Sequence, residues 1–247
     1  MRIMAGADER QSKAGGWAAL YVALAYVAAM PYFLLFVKTG SVTDPTEKVA
    51  LLVKHSGSLQ AFHLFTYVIF GIVLAVLALA LYRRLKDDAP VLAQVATAVG
   101  VIWAAVLIAS GMVYNAGVSA VVGLNGNDAA QAVSVWQSIE PVVDGLGGAG
   151  GELLGGLWVL LVSVAAVRTK AMPRVLGWLG VALGAVGILS VVPPLRDLIY
   201  VFGMLQIVWF GWTGVVLLRA RSRVVATSNR AGASSTGVGS SLSVTNA

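Results

Sequence analysis

A chain of 247 residues that is 58% hydrophobic and 11% charged is not an ordinary water-soluble domain, in which charged residues run to about 25%. It has no cysteine and two histidines, His55 and His63. That excludes disulfides, thiol chemistry and any Cys- or His-rich metal centre, and no metal or other cofactor is expected. The formal charge of +6 is carried by residues flanking apolar segments. It points to membrane lipid headgroups, not nucleic acid, as the partner.

Residues 1–13 are a polar N-terminal segment carrying Arg2, Arg10 and Lys13. The apolar run from Trp17 to Val37, ending at Lys38, is longer than the roughly 7–15 residues of a signal-peptide core. It reads as a retained first span, kinked by Pro31 near its outer end. Asp44-Pro45-Thr46-Glu47 places Asp at an N-cap, Pro at N1 and Glu at N3. That signature predicts a short helix, expected to lie on the membrane surface.

Span two is expected from Gln60 to Tyr82, closed by Arg83, Arg84 and Lys86, and span three from Pro90 to Val113. Tyr114 and Asn115 leave it, and Asn125-Gly126-Asn127-Asp128 marks a turn. Ala129 to Ile139 reads as a second short interfacial helix. Span four is expected from Gly147 to Val167, followed by Arg168, Lys170, Pro173 and Arg174. Span five runs from Val175 to Val192 and stops at Pro193-Pro194. Span six begins near Arg196-Asp197 and ends at Leu218. Residues 224–247, rich in Ser, Gly, Thr, Ala and Asn, predict a disordered tail.

Each span is close to the roughly 20 residues that cross about 30 Å of hydrocarbon. The N-terminus, the second and fourth loops and the C-terminus hold 13 of the 17 Lys and Arg residues. The excess of positive charge on cytoplasmic loops then puts both termini in the cytoplasm. The expected fold is all-α: a six-span transmembrane bundle over residues 14–223, in the plasma membrane.

The most informative stretch is Gln137 to Arg168. It opens with Glu140 and Asp144 and continues through glycines 145, 147, 148, 150, 151, 155 and 156, with Glu152 among them. Glycine weakens a helix in water, but in a bilayer it lets helices approach closely. Gly147-xxx-Gly151-xxx-Gly155 and Gly180-xxx-Gly184 therefore read as packing faces for spans four and five, and as a means of homo-oligomerisation. No GxxxxGK[ST] motif is present, so the glycines are not a phosphate loop.

Glu152 precedes Arg168 by 16 residues, about 24 Å along a helix, which puts it in the outer third of the bilayer. An acid there is costly and needs water or a partner. Two readings stand: a structural acid, protonated or paired with Arg196, and an acid that binds a proton or substrate. His63, 20 residues before Arg83 and so about 30 Å away, falls at the same boundary, with Asn115 and Arg196. Glu140 and Asp144 share a helix face at i and i+4. They read as solvated helix-start acids, or as a carboxylate pair for cation capture or acid–base work. The candidate ligand-binding set is thus Glu152, Asp144, Glu140, His63, Asn115 and Arg196; no catalytic residue is assigned.

LALALYRRLKDDAPVLAQVATAVGVIWA and GGLWVLLVSVAAVRTKAMPRVLGWLGVALGAVGIL resemble the second-to-third and fourth-to-fifth span blocks of an uncharacterised bacterial six-helix membrane family of the domain-of-unknown-function type. The likeness covers roughly two thirds of the chain. It implies a six-helix bundle in a bacterial plasma membrane and carries no activity or site.

Three functions fit these features. A small binding or transport protein would take a ligand from the extracytoplasmic face at Glu152. An intramembrane enzyme on a lipid or isoprenoid would use Glu152 with Glu140 or Asp144 as acid and base. A membrane-embedded accessory or regulatory protein would use its glycine faces for partner helices. The first is preferred.

Overall fold

The computed structural model describes residues 2–32, 42–148 and 152–219, which are helical throughout apart from short turns. Helix α1 spans Arg2–Pro31. Residues 2–13 are the first turns of this helix. Ser12 Oγ already donates to the Leu217 carbonyl at 2.8 Å. Pro31 is the last residue of α1, and the stretch beyond it that a kink would redirect lies outside the described residues. The outer end of the first predicted span, Val37 and Lys38 included, and the predicted tail at 224–247 lie outside the described residues.

Helix α2, Pro45–Lys54, starts as its sequence signature requires: Asp44 accepts from the Glu47 N–H at 2.8 Å, and Pro45 fills the first turn. Its apolar residues Val49 and Leu52 are buried against protein, where a surface helix would have turned them to lipid. Next comes one continuous rod, Ser56–Leu85. It is made of α3 (Ser56–His63), a π-helical stretch (Leu64–Ile69) and α4 (Phe70–Leu85). No sequence pattern announces the π-turns.

Helix α5 runs unbroken from Pro90 to Asn125, 36 residues or about 54 Å. The expected end near Val113 is overturned. Gly111, Tyr114, Gly117, Val118 and Val121 keep a buried face going, so the helix has packing to justify its extra turns. Helix α6, Ala129–Gly147, is capped by Asp128, which accepts from the Gln131 N–H at 2.9 Å. It closes at Gly148 in the left-handed region, φ 89°, a conformation that favours glycine. Glu140 and Asp144 therefore belong to α6. The next helix, α7 (Leu153–Thr169), begins only after Glu152. Helices α8 (Arg174–Leu189) and α9 (Leu198–Arg219) complete the chain.

Ser56–Leu85, Pro90–Asn125 and Leu198–Arg219 are long and apolar enough to cross a membrane, and Leu153–Thr169 and Arg174–Leu189 are shorter apolar helices. Their outward faces are apolar too: Ile72, Ile102, Met112, Trp178, Met204 and Val208 are all more than half exposed. A helix that is apolar all round suits a membrane interior.

Two cores form. The larger unites α1, α4, the first half of α5, α7, α8 and α9 around Leu74, Trp103, Trp158, Leu183, Trp209 and Phe210. The smaller unites α2, α3, the last turns of α5 and α6 around Leu52, Leu59, Tyr114, Val118 and Trp136. Helix α5 is longer than the roughly 30 Å of a hydrocarbon core, and the second core is built on its excess. We call this second layer the cap.

Glycine seams draw the helices of the larger core together. A Cβ on Gly156 would press on the backbone of α8 at Ile188 N, Gly187 C and Gly184 O, 2.7–2.9 Å away, and one on Gly184 would press on Gly156 O and Leu160. Gly180 and Gly184 thus serve the close α7–α8 packing expected of them. On α7 the partner is Gly156, whereas Gly155 faces Trp103 of α5. Gly151, also expected in that face, lies outside the described residues. Gly16 and Gly214 form a like seam between α1 and α9.

Candidate functional site

The candidate residues gather where the cap meets the bundle. His63 ends α3 and is 6% exposed. Its ring lies parallel to Tyr114 of α5, with centroids 3.4 Å apart, and to Tyr67 of the π-turn, 5.3 Å away. Nδ1 meets the Leu59 carbonyl at 3.0 Å. That contact holds the proton on Nδ1 and makes Nε2 the acceptor nitrogen. The π-turn carries Tyr67 into the same stack, and such turns recur at functional sites.

Asn115, one residue beyond Tyr114, exchanges hydrogen bonds with Gln60. Gln60 Nε2 donates to Asn115 O at 3.1 Å, and Asn115 Nδ2 donates to Gln60 O at 3.3 Å. Gln60 also reaches Ser119 Oγ at 2.8 Å. Asn115 thus bonds from α5 to α3, while its Oδ1 is buried without a partner among the described residues.

Glu140 binds Lys48 of α2, Nζ to Oε1, at 2.6 Å, and both side chains are largely shielded. Asp144, one turn on, lies exposed within the field of this pair. Partial burial, then the Glu140 charge, push its carboxyl above the ordinary carboxylate range, and Lys48 pulls the other way. Glu140 also acts electrostatically on Tyr114, and Asp144 on Tyr67.

Glu152 stands at the N-cap of α7 and is half-buried. Its backbone N–H donates to Ser190 Oγ at 3.0 Å, and Ser190 in turn donates to Gly187 O at 2.6 Å. The carboxylate makes no hydrogen bond or ion pair among the described residues. Around it are Gly148, Gly155 and the Trp103 ring. A Cβ on Gly155 would meet both Glu152 Oε2 and Trp103 Cζ2 at 2.8 Å. The Tyr26 and Tyr67 phenols lie within its electrostatic reach. Glycine at 148 and 155 leaves the space that the carboxylate occupies.

The expected pairing of Glu152 with Arg196 does not form. Arg196 follows the 3-10 turn Pro193–Leu195, is exposed, and joins no ion pair among the described residues. The neighbour of Glu152 on this side is Ser190, because Val191 to Leu195 turn outward. His63 thus stacks with Tyr67 and Tyr114, Asn115 bonds to Gln60 and Glu140 to Lys48, while Glu152 stands beside Trp103 and Ser190 and Arg196 joins none of them among the described residues.

Sequence reasoning missed Lys48, Tyr26, Tyr67 and Tyr114. The signal available was tyrosine within apolar runs, since a buried hydroxyl needs a polar neighbour. Chemically the site offers three carboxylates, one ammonium and a set of aromatic rings. Among the described residues no three His, Asp or Glu side chains stand together to hold a metal.

Comparison with known families matches residues 17–219 to the model described as Domain of unknown function (DUF4386). No curated protein and no solved structure matches the chain.

Proposed function

We propose, for a chain that belongs to the family Domain of unknown function (DUF4386), a small-ligand binding or transport role at Glu152. In this reading the protein is a six-span integral protein of a bacterial plasma membrane. Both termini are cytoplasmic and the cap is extracytoplasmic. Helices α1, α7 and α8 join the three long apolar helices as spans, and the lysine and arginine distribution sets the orientation.

One observation carries the ligand reading: the Glu152 carboxylate sits beside the Trp103 ring and forms no ion pair among the described residues. A carboxylate kept in such surroundings without a structural partner is a functional-site hypothesis by default. Three acids against Lys48 alone favour a positively charged ligand, and ring faces add cation–π attraction. The cap covers the approach and would admit the ligand from the extracytoplasmic side.

Homo-oligomerisation through glycine-rich faces would use Gly203 and Gly211 of α9, whose Cβ positions meet nothing within 4 Å. Gly16, Gly156, Gly180, Gly184 and Gly214 are engaged within the chain.

The test is a binding assay on purified protein in lipid nanodiscs, with small primary amines and quaternary ammonium ions as probes and sodium as control. Saturable binding that disappears in Glu152→Gln supports the reading. Binding of equal strength in that variant, or none to any probe, removes it.

A further inference from the structure

Six polar side-chain atoms in the larger core have no hydrogen-bond partner among the described residues: Trp158 Nε1, Ser163 Oγ, Trp209 Nε1, Thr213 Oγ1 and both ends of the Gln206 amide. Their residues are at most 1% exposed. Buried polar groups in folded proteins are nearly always satisfied by protein or by ordered water. A cluster of six needs an explanation that a single stray atom would not.

Two helices carry them, α7 with Trp158 and Ser163, and α9 with Gln206, Trp209 and Thr213. Gln206, Trp209 and Thr213 fall at i, i+3 and i+7 on the buried face of α9. The rings of Trp158 and Trp209 are 5.9 Å apart, edge to face. A Cβ at Gly180 of α8 would overlap both Ser163 Oγ and Trp209 Nε1, and one at Gly100 of α5 would overlap Trp158 Nε1. Glycine at 180 and 100 therefore lets these polar atoms come close against the backbones of α8 and α5.

We propose that this cluster is an internal hydration site, binding water molecules between α5, α7, α8 and α9. The chemistry of the lining selects the occupant. The groups are uncharged, they include donors and acceptors, and they are sealed from the surface. Their ligand must be small, neutral and able both to donate and to accept, which describes water. The site continues inward from Glu152: Trp103 flanks that carboxylate, and its ring lies 5.8 Å from Trp158. A proton or ligand held at Glu152 thus has a hydrated stop on its inner side. The hydration site stands whether or not Glu152 binds a ligand.

Radiolytic hydroxyl labelling of the full-length protein in nanodiscs tests this, because water bound inside a protein generates radicals where it sits. Oxidation of Trp158 and Trp209 is expected despite their burial, falling several-fold in Gln206→Met. Thr213→Val, which removes only the hydroxyl in nearly the same volume, repeats the test should the first variant fold poorly. Glu152→Gln is expected to leave the labelling unchanged, which separates this proposal from the ligand reading. No oxidation of either tryptophan in the wild type, or oxidation undiminished in the folded variants, overturns it.

Discussion

Lys48 on α2 and Glu140 on α6, 92 residues apart in sequence, meet at 2.6 Å and tie the two outer helices of the cap together. Lys48→Glu leaves two acids facing each other and is expected to cost about 1 kcal/mol, the upper end for an ion pair that is not fully buried. The exchange Lys48→Glu with Glu140→Lys should recover most of that loss. Thermal melts of the two singles and the double in detergent read this directly. A double no better than the singles would mean that the contact contributes nothing.

Asp144 predicts a pH dependence. Its folded-state pKa lies above the ordinary carboxylate value, through partial burial and Glu140. The folded protein then holds the proton more tightly than the unfolded chain. Stability falls as pH rises from the ordinary carboxylate range through the raised value. Asp144→Asn should therefore melt higher than the wild type at neutral pH, and the gap should close below about pH 4. Melting curves from about pH 4 to about pH 8 check the sign. A variant that is less stable at neutral pH contradicts it.

Glu152→Gln should leave the melting temperature equal or raised while abolishing cation binding. Neither an ion pair nor a side-chain hydrogen bond among the described residues would be lost, and functional residues are commonly kept at a cost in stability. Calorimetry with and without the ammonium probes measures both halves. A clear drop in melting temperature without ligand would show the carboxylate to be structural.

The glycine seam gives a contrast within one residue type. Gly156→Ala forces a methyl against the backbone of α8 and should destabilise by about 1–3 kcal/mol. Gly203→Ala, inside α9 with open space at its Cβ, should be neutral or stabilising by up to about 1 kcal/mol. Equal effects at the two positions would contradict the seam.

The helical class, the helix start at Asp44 and the turn at Asn125–Asp128 were legible because each has a local cause: apolar composition, a cap or a turn residue. The extension of α5 past Val113 was not. Its last turns are held by α2, α3 and α6 packing on Tyr114, Val118 and Val121, and such contacts leave no local mark. Helix α6 ends at Gly148 with φ 89°, within a run of several glycines, any of which could have taken that angle. Of the candidate residues, Glu152 was visible as an acid in an apolar run. Its aromatic surroundings come from α1, the π-turn and α5, and no spacing within a single helix announces them.

Helix α5 is a member of both cores, and its one proline, Pro90, sits in the first turn. It joins cap and bundle as one continuous helix. Two irregular joints stand beside it: the π-turn beneath His63, and Gly147 and Gly148 at the end of α6. Those joints carry Tyr67 and border Glu152. Tyr67 and the carboxylate of the site are thus set at the irregular joints of the frame, beside the one helix that both cores share.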